Sequence, residues 1–405
     1  MKMGEESNAT CVFYGRSPEQ DKFIENFAWC MENYVNLSVG VIGVVLNSIT
    51  IIVLSTSTMK NLFFNRLLIC LAVFDNLYLF CEISEVFRLQ YYTFIQQQMF
   101  VIFVYPVRSV VLCSSIYMTV SLTLERHQAI TCPLEYLASR ATDVNVRLLH
   151  YVMPVLVFSV IYYIPKFYDL KVEDITVCAK DTTTKTLMDR LDINHTHVYH
   201  ENCTTQYHII PSILRMDHYY VLWYLNISNL VFTAIIPFSI LMYLNFKIYS
   251  SLNQFRQRQP STNPTHATNT TGRPKNNDVK KTFILFCIVV VFVACHSLRI
   301  VLNIDEFINL TTFKEEQEKG CVGAKFWTQI AFSLSQLLLL LNSSANFFIY
   351  VFFDQEFQRN LRQACLFLRE LHSPRIRNGN TDMVRQRQNL NANDIELSVR
   401  NLSNI

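Results

Sequence analysis

The sequence predicts an all-α membrane protein: a seven-transmembrane helix bundle followed by a short amphipathic eighth helix. Three observations predict it. The 405 residues are 51% hydrophobic and 17% charged, whereas ordinary soluble domains carry about 25% charge. Seven apolar segments lie at about 35–57, 65–87, 99–126, 148–167, 219–248, 281–304 and 326–352, each long enough to cross a ~30 Å hydrocarbon layer. The loops between them differ in charge, as the two faces of a membrane require.

The order along the chain follows. Residues 1–34 are polar and are expected to form an extracellular amino-terminal segment. The opening residues contain no apolar core of the signal-peptide kind, so the first span is expected to act as its own signal anchor. Residues 35–352 form the bundle. Loop 249–280 holds Arg256, Arg258, Arg273, Lys275 and Lys280 against the acid Asp278. The positive-inside rule places it in the cytoplasm. The 305–320 loop is rich in acids, and the long loop 168–218 leans acidic; both belong outside. The amino terminus is then outside and the carboxyl terminus cytoplasmic, at the plasma membrane. The glycosylation sequons at Asn8, Asn194, Asn202 and Asn309 all fall on the outer side. Residues 353–366 alternate aromatic and charged side chains at helical spacing, which suits an amphipathic helix on the inner membrane face. Cys365 in it is a candidate for acylation. The polar tail 367–405 is expected to be disordered.

Ionisable groups within spans are costly and usually mark function. Asp75 lies mid-way along the second span, and Asn47, Ser115, Asn342, Ser343 and Asn346 lie at similar depth in others. A lone carboxylate there must protonate, pair or bind a cation. The oxygens on offer favour a small hard cation, sodium above others. The same residues would equally serve a protonated Asp75 in an interhelical hydrogen-bond network. Toward the outer side stand Glu82, Glu85, Arg108, His296, Arg299 and Gln336, with Asp305 at the rim. They form either a structural salt network or a polar pocket for a charged ligand. Glu125 and Arg126 stand side by side where the third apolar run ends.

The pattern resembles the rhodopsin-like, class A, G-protein-coupled receptors over about 35–365. The motifs are Asn47; Leu71-Ala72 with Asp75; Glu125-Arg126-His127 followed by Pro133-Leu134; Pro237; Phe292 with Cys295; and Asn346 with Tyr350. Within that family, Leu71-Ala72-Val73-Phe74-Asp75, Tyr162-Tyr163-Ile164-Pro165-Lys166-Phe167 and the Asn342-Ser343-Ser344 run with Asn346-Phe347 are similar to invertebrate FMRFamide-type neuropeptide receptors. The resemblance implies that Arg126 is held at rest by Glu125 and Asp278, and meets a heterotrimeric G protein when the sixth helix swings out. It implies that Leu134 is an apolar contact for the G protein and that Tyr350 stabilises the open state. Arrestin and a receptor kinase are implied as further partners. There are departures. Phe347 replaces the seventh-span proline, His296 and Leu298 replace the sixth-span tryptophan and proline, and Asn245 replaces the fifth-span tyrosine.

The family also staples the outer end of the third span to the second outer loop by a disulfide. Here that position is Val101. Five cysteines fall outside, Cys11, Cys30, Cys178, Cys203 and Cys321, and the expected pairs are Cys178–Cys203 and Cys30–Cys321. His195, His197, His200, Cys203 and His208 cluster in the long loop, but loop histidines are commoner than zinc ligands, and zinc is not expected.

The function expected from these features is a cell-surface receptor for a short amidated, RFamide-like peptide. The peptide's cationic end would pair with Glu82, Glu85 or Asp305. A receptor for an acidic small molecule or lipid, read by Arg108 and Arg299, is the alternative. A transporter or channel would need a continuous polar path, yet the deep polar residues make one closed cluster. The spans offer no nucleophile–base pair, so an enzyme is not expected, and a net charge of +3 gives no reason to invoke nucleic acid.

Overall fold

The computed structural model describes residues 17–90, 93–139, 142–179, 202–257, 276–309 and 325–372. Seven helices are long and apolar enough to cross a membrane: Glu19–Leu54, Phe63–Arg88, Phe94–Thr131, Val144–Tyr168, Tyr220–Ser251, Lys280–Ile308 and Phe326–Phe353. They are the seven spans, in the order the apolar segments predict.

The first span departs most from its predicted bounds. Its helix starts at Pro18, not near 35. Ser17 caps it: its hydroxyl accepts from the Gln20 amide, and the Gln20 side chain accepts from the Ser17 amide. That reciprocal box, with Pro18 in the first turn, satisfies the amides that a helix start leaves open. Residues 18–34 thus add about 25 Å of helix at 1.5 Å per residue ahead of the apolar run, within a stretch expected to be a separate segment. The cap signal stood in the sequence, but the stretch is too polar to be seen in a search for spans.

The third and fifth spans carry wide, π-helical turns at Phe100–Val104 and Val231–Ile235. Pro106 and Pro237 lie just beyond them. A proline gives no amide to the carbonyl four residues back and crowds it, and widening the preceding turn relieves both. The seventh span, with Phe347 in place of proline, runs as unbroken α-helix from Phe326 to Phe353.

The bundle closes tightly where the first, second and seventh spans meet. A Cβ on Gly43 would fall 2.2 Å from Ser344 Oγ and 2.8 Å from Leu79 Cδ1, so only glycine allows this approach. Below it, Leu67, Leu71, Met118, Leu122, Leu285, Tyr350 and Phe357 join the second, third, sixth and seventh spans to the following helix. That helix, Gln355–His372, reaches beyond the predicted 366. Asp354 starts it by accepting from the Glu356 and Phe357 amides. Phe357, fully buried, fastens it to the bundle, and Cys365 is an exposed thiol on it.

The loop after the fourth span contains two antiparallel strands, β1 (Leu170–Ala179) and β2 (Asn202–Pro211), in a register that sets Cys178 directly opposite Cys203. The side chains of those two cysteines lie outside the described residues. Of the other expected pair, Cys30 is an exposed thiol on the first helix, and Cys321 lies outside the described residues. So do Asn8, Asn194 and the histidines at 195, 197 and 200.

Candidate functional site

The third span carries polar groups at three levels. At its carboxyl end Glu125 is fully buried and Arg126 nearly so. Arg126 Nε donates to Glu125 Oε2 at 2.5 Å and Nη2 to Oε1 at 2.8 Å. Tyr136, on the short helix Pro133–Ser139, donates to Glu125 Oε1 at 2.6 Å. The Arg126 guanidinium stacks over Phe64 at 4.3 Å, and Arg147 covers the Tyr136 ring at 4.5 Å. The Glu125 carboxylate therefore accepts three donors, and a buried charge so satisfied is held in one orientation. Burial first, then the Glu125 charge, pushes the Tyr136 hydroxyl up to about 12, so it remains a neutral donor. Tyr136 was not foreseen; a tyrosine on a short connecting helix has no distinguishing spacing. Leu134, on the same short helix, is largely exposed. His127 is partly exposed beside the pair. Asp278 falls on the sixth helix, and its side chain lies outside the described residues. Tyr350 is a buried ring against Phe357, 5.6 Å between centroids.

At mid-depth Asp75 is fully buried. Ser115 Oγ donates to its Oδ1 at 2.7 Å, and Asn346 Nδ2 to its Oδ2 at 2.8 Å. Asn47 Nδ2 donates to the Ser343 carbonyl at 2.9 Å. Ser343 Oγ is beside the same carboxylate but makes no hydrogen bond of standard geometry, and Asn47 Oδ1 is likewise buried without a partner. An orphaned hydroxyl oxygen beside a buried carboxylate belongs to the donor set a hard cation takes. Of the six residues named for this cluster, Asn342 is the one left out: it is partly exposed and makes no hydrogen bond to the group.

Toward the Val101 end the expected acids and arginines separate into pairs. Glu82 meets Arg108 at 3.5 Å, beside the buried Tyr78 hydroxyl. Glu85 is taken by Arg88 at 2.6 Å, which also donates to Gln97 and covers Phe100. Asp305 accepts from Asn309 and lies 3.6 Å from Lys325. Arg299 stands apart. It faces the Phe332 ring at 5.7 Å, its charge reaches Tyr78, Tyr163 and His296, and it has no carboxylate partner among the described residues. His296 is buried against Phe292, 4.3 Å between ring centroids, with Nε2 unpaired. Gln336 is partly buried and makes no hydrogen bond here. All three acids expected to await a cationic ligand thus already face a protein cation.

The structure also answers what holds the third span where the family's cysteine is missing. Asp169, fully buried, gathers Lys166 Nζ at 3.1 Å and Arg215 Nη1 at 3.3 Å. The hydroxyls of Tyr105 (3.0 Å) and Tyr220 donate to the same carboxylate. Tyr105 lies one helical turn from Val101; Lys166 ends the fourth span, Arg215 follows β2, and Tyr220 opens the fifth span. One carboxylate thus ties the third span to the loop, as the disulfide would have done, and adds the fourth and fifth spans. Its members come from three separated stretches of sequence, so no local pattern revealed the whole of it.

Seven spans, the third of them carrying a buried Glu-Arg pair at one end and a polar chamber at the other, define a multi-pass membrane receptor of the serpentine type. The chain belongs to the family described as serpentine type 7TM GPCR chemoreceptor Srw, whose profile matches residues 34–367. It is similar to the FMRFamide receptor of Drosophila melanogaster, with 27% identity over 378 residues, covering 90% of this chain and 58% of that protein. It is also similar to the FMRFamide peptide receptor frpr-18 of Caenorhabditis elegans, with 22% identity over 338 residues, 80% of this chain and 67% of that one. The chain therefore spans little more than half the length of the first relative and two thirds of the second.

Proposed function

We propose that this chain is a plasma-membrane receptor of the rhodopsin-like type, amino terminus outside, that binds a short amidated, RFamide-like peptide and activates a heterotrimeric G protein. The observation that carries it is the buried Glu125–Arg126 pair, clamped by Tyr136 at one end of the helix whose other end carries Arg108 in the polar chamber. A two-state bundle of this kind responds to any ligand that prefers one state. The names of the two relatives supply the peptide class. The chamber is assigned to Glu82, Glu85, Arg108, His296, Arg299, Asp305 and Gln336. Coupling is assigned to Glu125, Arg126, His127, Leu134, Asp278 and Tyr350, with arrestin and a receptor kinase acting after the G protein. Sodium at Asp75, held by Ser115, Ser343, Asn346 and Asn47, is the proposed regulator. Glycosylation is assigned to the four outer sequons, a disulfide to Cys178–Cys203, and acylation to Cys365.

A second reading, an acidic small molecule or lipid as ligand, is favoured by Arg299, which has no carboxylate partner among the described residues. Calcium and cyclic-nucleotide responses of transfected cells to a peptide library and an acidic-lipid panel separate the two. A response to amidated peptides that disappears in Arg126→Ala at equal surface expression supports the first. A response to acidic lipids alone overturns it.

A further inference from the structure

The charge pairing in the chamber raises a question. If a peptide brings a cation, Glu82, Glu85 and Asp305 can receive it only by releasing Arg108, Arg88 and Lys325. Breaking a partly buried ion pair to form another gains little, since desolvation has already been met once.

One half-buried acid on the same side has no such partner. Glu32 lies on the helical extension ahead of the first apolar run and forms no ion pair among the described residues. The charges of Glu85 and Arg88 both reach it, with opposite sign. Glu32 lines a cleft of about 440 Å³ between this extension and the start of the seventh span, with Ile24, Phe27, Thr328, Gln329 and Phe332. Thr328 Oγ1 is buried there without a hydrogen-bond partner. Phe332 is shared: it lines the cleft and also meets the guanidinium of Arg299. The cleft thus offers an unpaired carboxylate, two aromatic rings, an unused hydroxyl and, beyond Phe332, a cation without a carboxylate. Its volume is in the range of ordinary ligand sites.

We infer that this cleft is the subsite for the cationic, aromatic-flanked end of the ligand, with Glu32 as its counter-ion. The inference rests on the peptide-receptor reading for the identity of the ligand. The ligand's guanidinium or ammonium group faces Glu32, and its aromatic neighbour lies against Phe27 and Phe332. A terminal amide oxygen accepts from Arg299. Charge complementarity selects this occupant over an acyl chain, which would leave the carboxylate facing hydrocarbon.

The test uses two dipeptide probes on the full-length receptor in nanodiscs, titrated by thermal shift: N-acetyl-arginyl-phenylalaninamide and its neutral isostere N-acetyl-citrullyl-phenylalaninamide. Wild type should prefer the arginine probe by about tenfold or more, the scale of one charge-assisted hydrogen bond. Glu32→Gln should abolish that preference, and Glu32→Asp should restore part of it. Equal binding of the two probes to wild type, no binding of either, or a preference that survives Glu32→Gln overturns the assignment. The outcomes also separate this inference from the broader reading. Signalling by whole peptides with potency indifferent to Glu32→Gln removes the cleft and keeps the peptide receptor. Glu32-dependent dipeptide binding without any peptide-evoked signal does the reverse.

Discussion

Replacing Asp169 by asparagine tests the anchor of the third span. The substitution keeps the volume and removes the charge, leaving Lys166 and Arg215 converging on a neutral group. Removing one partner of a buried ion pair typically costs about 3–5 kcal/mol. The lower end applies, because the Arg215 side chain is 37% exposed and can turn toward water. The Lys166 side chain, at 15% exposure, has less freedom. A loss of about 3 kcal/mol corresponds to a drop in melting temperature of roughly 6–12 °C on the scaling of domains of 150–250 residues. A thiol-reactive dye follows unfolding of the detergent-solubilised receptor, since Cys113 and Cys295 are buried free thiols. Hydrogen exchange should show the loosening at residues 94–105, whereas reductant should not loosen them, because Val101 offers no thiol. Asp169→Asn combined with Arg215→Gln should recover part of the loss by removing the stranded cation. Melting of Asp169→Asn within 2 °C of wild type would refute the reasoning. A double variant showing simple additivity would do the same.

Further outcomes follow from other contacts. Gly43→Ala should destabilise the receptor by about 1–3 kcal/mol through overpacking, read by the same melting assay; a neutral outcome means Ser344 and Leu79 yield freely. Sodium titration should raise the melting temperature of wild type and leave Asp75→Asn unmoved, and identical titrations would exclude the cation. Tyr136→Phe removes one of three donors to Glu125, about 1 kcal/mol, and should raise ligand-independent signalling about fivefold at equal surface expression. Because the Tyr136 hydroxyl is pushed up to about 12, its restraint is fully present below its ordinary value near 10 and is lost as pH rises through the raised value, so basal signalling should show no Tyr136-dependent step between pH 6 and 9. Non-reducing peptide mapping should recover Cys178 linked to Cys203, and recovery of both as free thiols would remove that bond.

The class of fold was legible because hydrocarbon imposes a one-dimensional rule. A span must be long, apolar and internally hydrogen-bonded, and seven such runs can be counted along the chain. The Glu125–Arg126 pair was visible for the same reason, since charge at the rim of a span needs an explanation wherever it occurs. So was the Asp75 cluster, whose buried carboxylate had to find donors, and it found Ser115 and Asn346. Partner choice was not visible. Glu85 could have faced Arg108 but is taken by Arg88, one helical turn away, and Arg299 has no carboxylate partner among the described residues. Helix rotation decides such pairings, and rotation is set by packing such as the glycine contact at Gly43. The anchor at Asp169 illustrates the limit. Its five side chains come from three spans and two connecting segments, each unremarkable alone, and only the converged bundle gives that carboxylate its cations. Composition and apolar length therefore determine that the chain crosses the membrane seven times. The tertiary arrangement alone decides which charges cancel, which remain for a ligand, and what replaces a disulfide the sequence lacks.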